Sequence, residues 1–566
     1  MIGAMDLTHP APEADAPVEL SPDQQAVMVS ALCAGWAASD GIAPQRIETH
    51  ISFVVIHAGF AYKFKKVLKT SFLDQSTLAL REHACHEELR LNRRLAPALY
   101  LDVVPITGRC DQPLVGGSGP VLDVAVKMRA FAQDDLWDRL AARGALSSAQ
   151  VDELVAAIGA FHDAAAIAPA QGRLGTPDQV RAPLQDSLQE LLAQWANPQV
   201  QADLQRLARW EAETFPRLAA LMARRLAGGR VRECHGDLHL GNVASVEGRC
   251  TVFDGIEFND DFRWLDVVSE IAFMAMDLQA HGLPALAQRW LNGYLEHSGD
   301  YEGVRLLNYY LVHRALVRAK VALMRDAQAS ATQAGQAANR HDQARRYLDL
   351  ALQFSAPRQP LLMITHGYSG SGKTTMSQGL LEATGAIRVR ADVERKRLLG
   401  LPRLARSHSP RNAGLYGKDK TEDTYARLLD TARAVLAGGW HVILDATFLN
   451  RTHRSAARDI AAASGSRFLI LDFDAAPEVL RQRLRLRAQQ GLDASEADEG
   501  VLAMQMQSAQ ALQADELAVT LRVPSLAAAE AGPAEPGATW QGDWASLLAK
   551  ISTGFGTTPG GVVRNL

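Results

Sequence analysis

Residues 367–374 read GYSGSGKT, a pattern that few protein folds can accommodate. The segment follows an apolar run that starts at Leu361 and precedes a helical pattern, the context in which G-x-x-x-x-G-K-[ST] forms a phosphate-binding loop. Its glycines let successive backbone N–H groups face one anion, and the helix N-terminus adds the positive end of its dipole. We expect Lys373 to contact the β- and γ-phosphates and the Thr374 hydroxyl to bind Mg²⁺.

Strand and helix patterns alternate around this loop. Strands are predicted at 361–366, 386–390, 441–446 and 467–473. Because such alternation is typical of βαβ units, it predicts an α/β three-layer domain with a parallel sheet. The loop residues expected to bind ATP are Gly367, Tyr368, Ser369, Gly370, Ser371, Gly372, Lys373, Thr374 and Thr375.

Five more polar residues in this part of the chain are candidates for the same site. Asp445 ends an apolar strand, where a carboxylate can bind Mg²⁺. Asp392 is a candidate base for an acceptor hydroxyl, and Arg395 a candidate phosphate contact. Arg483 and Arg487 lie one helical turn apart and predict a lid over the triphosphate. Plainer interpretations stay open for all five: helix caps for the aspartates and solvated surface charge for the arginines.

The first half of the chain carries a second pattern. Residues 235–242 read HGDLHLGN, and Asp254 follows twelve residues later in a D-G pair. Protein kinases use H-R-D-x-x-x-x-N and D-F-G in this order. We expect Asp237 to orient or deprotonate an acceptor hydroxyl, while Asn242 and Asp254 hold Mg²⁺ through oxygen atoms. His235 is expected to support the loop.

Residues 51–67 predict a β-hairpin that precedes this pattern. Lys63 is our candidate for the contact with the α- and β-phosphates, and Lys65, on the same strand face, is its rival. Glu88 on the following helix is the expected ion-pair partner, and Glu87 is the alternative. A complete set of kinase residue types is therefore present in the first half.

The composition of the chain disfavours several classes of protein, among them nucleic-acid-binding, secreted and membrane-spanning proteins. The 566 residues include 59 Lys and Arg against 63 Asp and Glu, which gives a net charge of −4. This charge and the lack of basic or aromatic runs disfavour a nucleic-acid partner. The five cysteines form no C-x-x-C pair, the N-terminus does not read as a secretory signal, and no apolar run reaches membrane-spanning length. We therefore expect a cytoplasmic protein without a membrane segment.

The first half resembles the aminoglycoside phosphotransferase and choline-kinase-like families. Their H-G-D-x-H-x-x-N signature is matched at His235, Gly236, Asp237, His239 and Asn242. Gly236 stands where protein kinases carry Arg, and no A-P-E segment follows it within the first half of the chain. The resemblance implies a bilobal α+β kinase-like fold that acts on a small molecule instead of a protein.

The second half resembles P-loop kinases of small molecules and of polynucleotide ends, including chloramphenicol phosphotransferase and zeta-toxin-like kinases. The matching features are the phosphate loop, the D-x-x-R at 392–395, the LDAT that contains Asp445 and the R-x-x-x-R helix. The whole chain, over about residues 30–550, looks like bacterial fusions of an aminoglycoside phosphotransferase-like domain with an ATP-binding domain.

These observations predict a multidomain chain. We expect a disordered leader at 1–25, a kinase-like domain at 26–345, a linker at 346–358, a P-loop domain at 359–552 and a flexible tail at 553–566.

The predicted activity is phosphate transfer from ATP, with Mg²⁺, to the hydroxyl group of a small molecule at two nucleotide sites. Two alternatives remain: an ATP-binding regulatory protein with little turnover, and a nucleic-acid 5′-hydroxyl kinase in the second half. The sequence names neither the acceptor nor the oligomeric state.

Overall fold

The computed structural model describes residues 19–70, 73–327, 334–405, 417–490 and 494–523, together with Ala549 and Ile551. In these residues the strands, numbered in chain order, are β1 (Gln45–Glu48), β2 (Ser52–His57), β3 (Phe60–Lys65), β4 (Tyr100–Arg109), β5 (Gln112–Val115), β6 (Val121–Arg129), β7 (Val231–Glu233), β8 (Val243–Val246), β9 (Arg249–Val252), β10 (Trp264–Asp266), β11 (Leu361–His366), β12 (Ile387–Arg390), β13 (Val442–Asp445), β14 (Arg467–Phe473) and β15 (Thr520–Val523).

The helices of the same residues, again in chain order, are α1 (Pro22–Asp40), α2 (Leu78–Asn92), α3 (Trp137–Ala142), α4 (Ser148–Ala164), α5 (Pro177–Gln194), α6 (Pro198–Ala227), α7 (Asp260–Arg263), α8 (Val267–Ala280), α9 (Pro284–Ser298), α10 (Val304–Ala327), α11 (Ala334–Ser355), α12 (Lys373–Thr384), α13 (Ala391–Leu398), α14 (Lys418–Ala437), α15 (Arg451–Ala463), α16 (Pro477–Gln490), α17 (Glu499–Ser508) and α18 (Ala514–Leu517). None of the helices described here combines the length and apolar character needed to cross a lipid bilayer.

The chain forms two compact units. The first consists of residues 1–136, 235–237 and 242–263, and the second contains the remaining segments. Residues 235–242, the HGDLHLGN segment, are therefore divided between the two units.

An antiparallel sheet organises the first unit, with strand order β1-β2-β3-β6-β4-β5. Strands β2 and β3 form the predicted hairpin, in which His57 pairs with Phe60 across a two-residue turn. Both turn residues, Ala58 and Gly59, have positive φ, as hairpin turns of this length require. Apolar residues of α1 and α2 pack against the sheet, which fixes α2 beside the strand that carries Lys63.

A five-stranded parallel sheet, in the order β12-β13-β11-β14-β15, lies in the second unit. Strand β11 is buried from Leu361 to Thr365, as expected of a central strand covered on both faces. The GYSGSGKT loop leaves its carboxyl end, and β13 beside it ends at Asp445. The four strands predicted for this region are confirmed. Strand β15 was not predicted, because its four residues TLRV are too few to show a strand periodicity.

Two predicted boundary segments contain helix. Residues 1–18 of the predicted leader lie outside the described residues, but α1 begins at Pro22 because Ser21 caps it with a reciprocal capping box. Most of the segment expected to be a linker at 346–358 belongs to α11, which ends at Ser355. The predicted tail at 553–566 lies outside the described residues.

Candidate active sites

Three charged side chains meet in the first unit. Lys63 on β3 places its Nζ 2.8 Å from Glu88 Oε1 and 2.5 Å from Asp254 Oδ1. Burial alone would lower the pKa of Lys63, but the Asp254 and Glu88 carboxylates raise it well above its ordinary value. Lys63 therefore stays protonated and can hold negative charge beside Asp254.

The structure distinguishes Glu88 from Glu87 and Lys63 from Lys65 by their partners. Glu87 forms its ion pair with Arg90 on the surface of α2, whereas Glu88 is fully buried against the lysines. Lys65 also contacts Glu88, at 2.5 Å, but its second partner is the buried Glu257. The geometry thus favours Glu88 over Glu87, and it places Lys63, not Lys65, against Asp254.

Replacing Lys65 by Met should lower the free energy of unfolding by about 3–5 kcal/mol, because Glu257 and Glu88 would lose a buried partner. Urea unfolding followed by circular dichroism measures this change. The neighbouring Lys66 is a matched control, since it pairs at 2.7 Å with Glu48, whose side chain is 52% exposed. Lys66→Met should cost less than about 1 kcal/mol, and equal losses for the two variants would contradict the assignment.

His235 holds the first part of the HGDLHLGN segment through two hydrogen bonds of its ring. The Asp237 N–H donates to His235 Nδ1 at 3.3 Å, so the ring proton lies on Nε2, which donates to the Phe253 carbonyl at 2.9 Å. The Asn242 amide in turn donates to Asp237 Oδ2 at 2.9 Å and to the Asp237 carbonyl at 3.0 Å. His235 thus joins Asp237 to the backbone of Phe253, the residue before Asp254.

Gly236 has a steric reason to be glycine. Its φ is +88°, and a Cβ at this position would lie 2.7 Å from the Phe262 carbonyl oxygen. Any side chain would meet backbone there, including the arginine that protein kinases carry at this place. The departure from the protein-kinase pattern is therefore a property of how this loop packs.

The phosphate loop of the second unit is tightly folded. Gly367 has a φ of +140°, and a Cβ there would lie 2.5 Å from the Phe473 carbonyl oxygen. Lys373 Nζ donates to the carbonyl oxygens of Gly367 at 3.0 Å and Tyr368 at 2.7 Å. Burial lowers the pKa of Lys373 to about 8, although Asp445 and Asp392 act in the opposite direction.

Asp445 lies beside the start of α12. Its Oδ2 accepts a hydrogen bond of 3.2 Å from Ser377 Oγ, one helical turn after Lys373. The Thr374 carbonyl accepts at 3.0 Å from Arg388. Ser369 is held by Gln505, whose amide bonds both its N–H, at 2.9 Å, and its hydroxyl, at 3.0 Å.

The remaining candidates lie on two helices, the arginines Arg483 and Arg487 on α16 and the pair Asp392 and Arg395 on α13. Arg483 Nη1 donates to the Gly370 carbonyl at 3.3 Å, so it contacts the phosphate loop directly. Arg487 donates to the Ala497 carbonyl, and its charge is near enough to lower the pKa of Lys373. Asp392 and Arg395 lie 3.9 Å apart on the first turns of α13, and Asp392 also acts on Lys373.

Sequence reasoning missed several residues that these sites use. Asn92 lies one turn after Glu88, and its Oδ1 accepts from the Gly255 N–H at 2.8 Å. The i, i+4 spacing from Glu88 on a predicted helix is the sequence signal that could have identified Asn92. Strand β12 reads IRVR, an alternation that predicts exposed arginines, so the sequence gives no signal that Arg388 is buried. Nothing in the local sequence marks Gln505.

Known proteins match both halves of the chain. A family model described as "Phosphotransferase enzyme family" matches residues 71–307, and one described as "AAA domain" matches residues 362–512. The uncharacterized protein Rv2004c of Mycobacterium tuberculosis H37Rv is 30% identical over 452 residues, which covers 79% of this chain and 87% of that protein. This chain belongs to the same family. The uncharacterized protein Mb2027c of Mycobacterium bovis matches to the same extent.

This chain joins a phosphotransferase-family domain to an AAA domain, a pair that supports an ATP-dependent phosphotransferase in general. Similar solved structures include a choline/ethanolamine kinase family protein from Mesorhizobium loti (13% identity, 58% of this chain, 99% of that chain, TM-score 0.35). A gluconokinase from Sinorhizobium meliloti (19% identity) covers 31% of this chain and 87% of its own, at a TM-score of 0.22. At these TM-scores the likenesses add nothing to the family matches.

ATP use by such domains implies a divalent metal ion, and the donor sets fit one. In the phosphotransferase domain the Asn242 amide oxygen and the Asp254 carboxylate would hold it. In the P-loop domain the Thr374 hydroxyl and the Asp445 carboxylate would do so. All are oxygen atoms, which hard divalent cations prefer.

Proposed function

We propose that the chain binds Mg·ATP at both sites and transfers the γ-phosphate to the hydroxyl group of a small molecule. The observation that carries the proposal is the Lys63–Glu88–Asp254 cluster, because it unites residues from three distant segments in the arrangement that a kinase needs. The glycine-lined loop around Lys373 supports a second nucleotide site in the same chain.

At the first site, Lys63 would contact the α- and β-phosphates while Glu88 keeps it in place. Asn242 and Asp254 would hold Mg²⁺, which neutralises phosphate charge when bound. Asp237 would accept the proton of the substrate hydroxyl. Since Asn242 donates to Asp237 Oδ2, the other carboxylate oxygen is the one that we assign to the substrate.

At the second site, Lys373 and Arg483 would neutralise phosphate charge, with Arg487 closing from the same helix. Thr374 and Asp445 would hold Mg²⁺, and Asp392 would serve as the base. Arg395, at 3.9 Å from Asp392, would steady a phosphate or the acceptor.

The acceptor and its compartment are parts of the same proposal. The lack of an A-P-E segment after Asp254 in the first half supports a small molecule over a protein, and the net charge of −4 disfavours a nucleic acid. All five cysteines are free thiols, which supports a reducing compartment such as the cytoplasm.

A screen of hydroxyl-bearing metabolites for ATP consumption by the full chain tests the proposal. We expect at least one compound to stimulate turnover, and Asp237→Asn or Asp392→Asn should abolish that stimulation, depending on which site acts. Tight binding of nucleotide at both sites without turnover, whatever the compound, would instead favour a regulatory protein. A labelled 5′-hydroxyl oligonucleotide belongs in the same screen, and its phosphorylation would contradict the small-molecule assignment.

A further inference from the structure

Helix α9 of the phosphotransferase domain packs against the edge of the P-loop domain's sheet, within the second unit. The buried Asn292 on this helix donates to the Ala386 carbonyl at 3.0 Å and accepts from the Arg388 N–H at 2.7 Å. The first partner is the backbone of the residue before β12 and the second is a backbone group within β12, the terminal strand of the parallel sheet. The Asn292 amide thus forms the hydrogen bonds that these backbone groups at the sheet edge would otherwise offer to another strand.

Glu296 lies one turn further along α9 and is 8% exposed. Its carboxylate lies 3.8 Å from Arg388, 3.2 Å from Arg390 and 3.5 Å from Arg403. Burial would raise the pKa of Glu296, but Arg390 and Arg388 hold it below its ordinary value. The phosphotransferase domain therefore presents one buried negative charge to the arginines that flank β12.

The Arg388 guanidinium also contacts the start of helix α12, directly after the phosphate loop. Its Nη1 donates to the Thr374 carbonyl at 3.0 Å and to Ser377 Oγ at 3.1 Å, and its Nη2 donates to Gln378 Oε1 at 2.8 Å. Ser377 Oγ donates in turn to Asp445 Oδ2 at 3.2 Å. One rigid guanidinium thus connects Glu296 to both residues that we assign to Mg²⁺ in the P-loop domain.

We propose that Arg388 is a positioning residue of the P-loop site and that Glu296, from the phosphotransferase domain, holds it in place. A buried guanidinium needs charge compensation to stay buried. With Glu296 neutral, Arg388 keeps its hydrogen bonds around Thr374 but loses one of the two carboxylates, Glu296 and Asp445, that favour its charge, and it turns toward solvent more readily. The Thr374 backbone and Ser377, which bonds Asp445, then lose the hydrogen-bond donor that they share. The inference rests on the proposed function, because it assumes that the P-loop site binds a magnesium nucleotide.

The test is Glu296→Gln, which keeps the shape and removes the charge. It is made in the full chain that also carries Lys63→Met, so that calorimetric binding of AMPPNP, a non-hydrolysable ATP analogue, reports the P-loop site. Because the ion pair of 3.8 Å between Glu296 and Arg388 is lost, we expect affinity to fall about tenfold with Mg²⁺ and by less than about threefold with EDTA. This difference separates positioning of the metal ligands from a general loss of structure, which would weaken binding equally in both conditions.

Arg403→Gln is the matched control, because Arg403 also pairs with Glu296 but is half-exposed. It should leave both affinities unchanged. A second variant, Arg388→Lys, keeps the charge and loses the planar fork, and it should reproduce the magnesium-dependent loss. It decides the question should Glu296→Gln fail to fold.

Three outcomes would overturn the inference. Unchanged affinity in Glu296→Gln, or in Arg388→Lys when only that variant folds, rejects it while the proposed function stands. An equal loss with Mg²⁺ and with EDTA assigns Arg388 a structural role only. Absence of binding by the Lys63→Met parent rejects the proposed P-loop site and this inference with it.

Discussion

Asp237→Asn should lower turnover at the phosphotransferase site by about 100- to 10,000-fold, the range that general bases supply. Asparagine keeps the shape and can still accept the hydrogen bond of 2.9 Å from Asn242, so the loop should keep its conformation. It cannot accept a proton from the substrate. Nucleotide affinity should therefore stay within about threefold while kcat collapses.

The measurement is ATP consumption with the stimulating metabolite, alongside calorimetric nucleotide binding, in the full chain carrying Lys373→Ala. Asp111→Asn provides the control, since Asp111 is an exposed aspartate of the same unit that pairs with Arg109 at 3.0 Å. It should change neither quantity. Asp237→Asn turnover within twofold of its parent would remove Asp237 from the catalytic role.

Lys373→Ala should weaken magnesium-nucleotide binding at the P-loop site by about 10- to 150-fold, because it removes a charged hydrogen-bond donor from the phosphates. Isothermal titration of the full chain with AMPPNP and Mg²⁺ should give a stoichiometry near two for the natural sequence. The variant should give a stoichiometry near one at concentrations where only the intact site fills.

Lys420→Ala is the companion control for this titration. Lys420 lies on the surface of α14 in the same domain and pairs with Asp423 at 3.2 Å. It should retain both binding events. A stoichiometry of two in Lys373→Ala would show that the loop binds nucleotide without its lysine, or that the second event lies elsewhere.

The sequence predicted those features whose chemistry forces a local pattern. The phosphate loop and the hairpin that carries Lys63 are such features, and the described strands confirm where they lie. In each case the backbone geometry needs particular residue types at fixed spacing, as Gly367 and Gly236 illustrate. Such requirements can be read from one short stretch of chain.

What the sequence could not supply are contacts between distant segments. Glu257 compensates Lys65 from 192 positions away, and Asn292 bonds the backbone of Arg388 across 96 positions. Neither residue belongs to a local sequence motif, and its partner is known only once the chain has folded. The choice between Lys63 and Lys65 has the same origin, because the two share a strand face and differ in what the fold brings beside them.

The bond between α9 and β12 has a consequence for how the protein can be divided. A fragment beginning near residue 359 would lack Asn292, so the Ala386 carbonyl and the Arg388 N–H would be left without their partner. An uncovered edge strand is a template for pairing with a second copy. Such a fragment would tend to self-associate through β12, and its behaviour in isolation would describe an assembly that the intact polypeptide prevents.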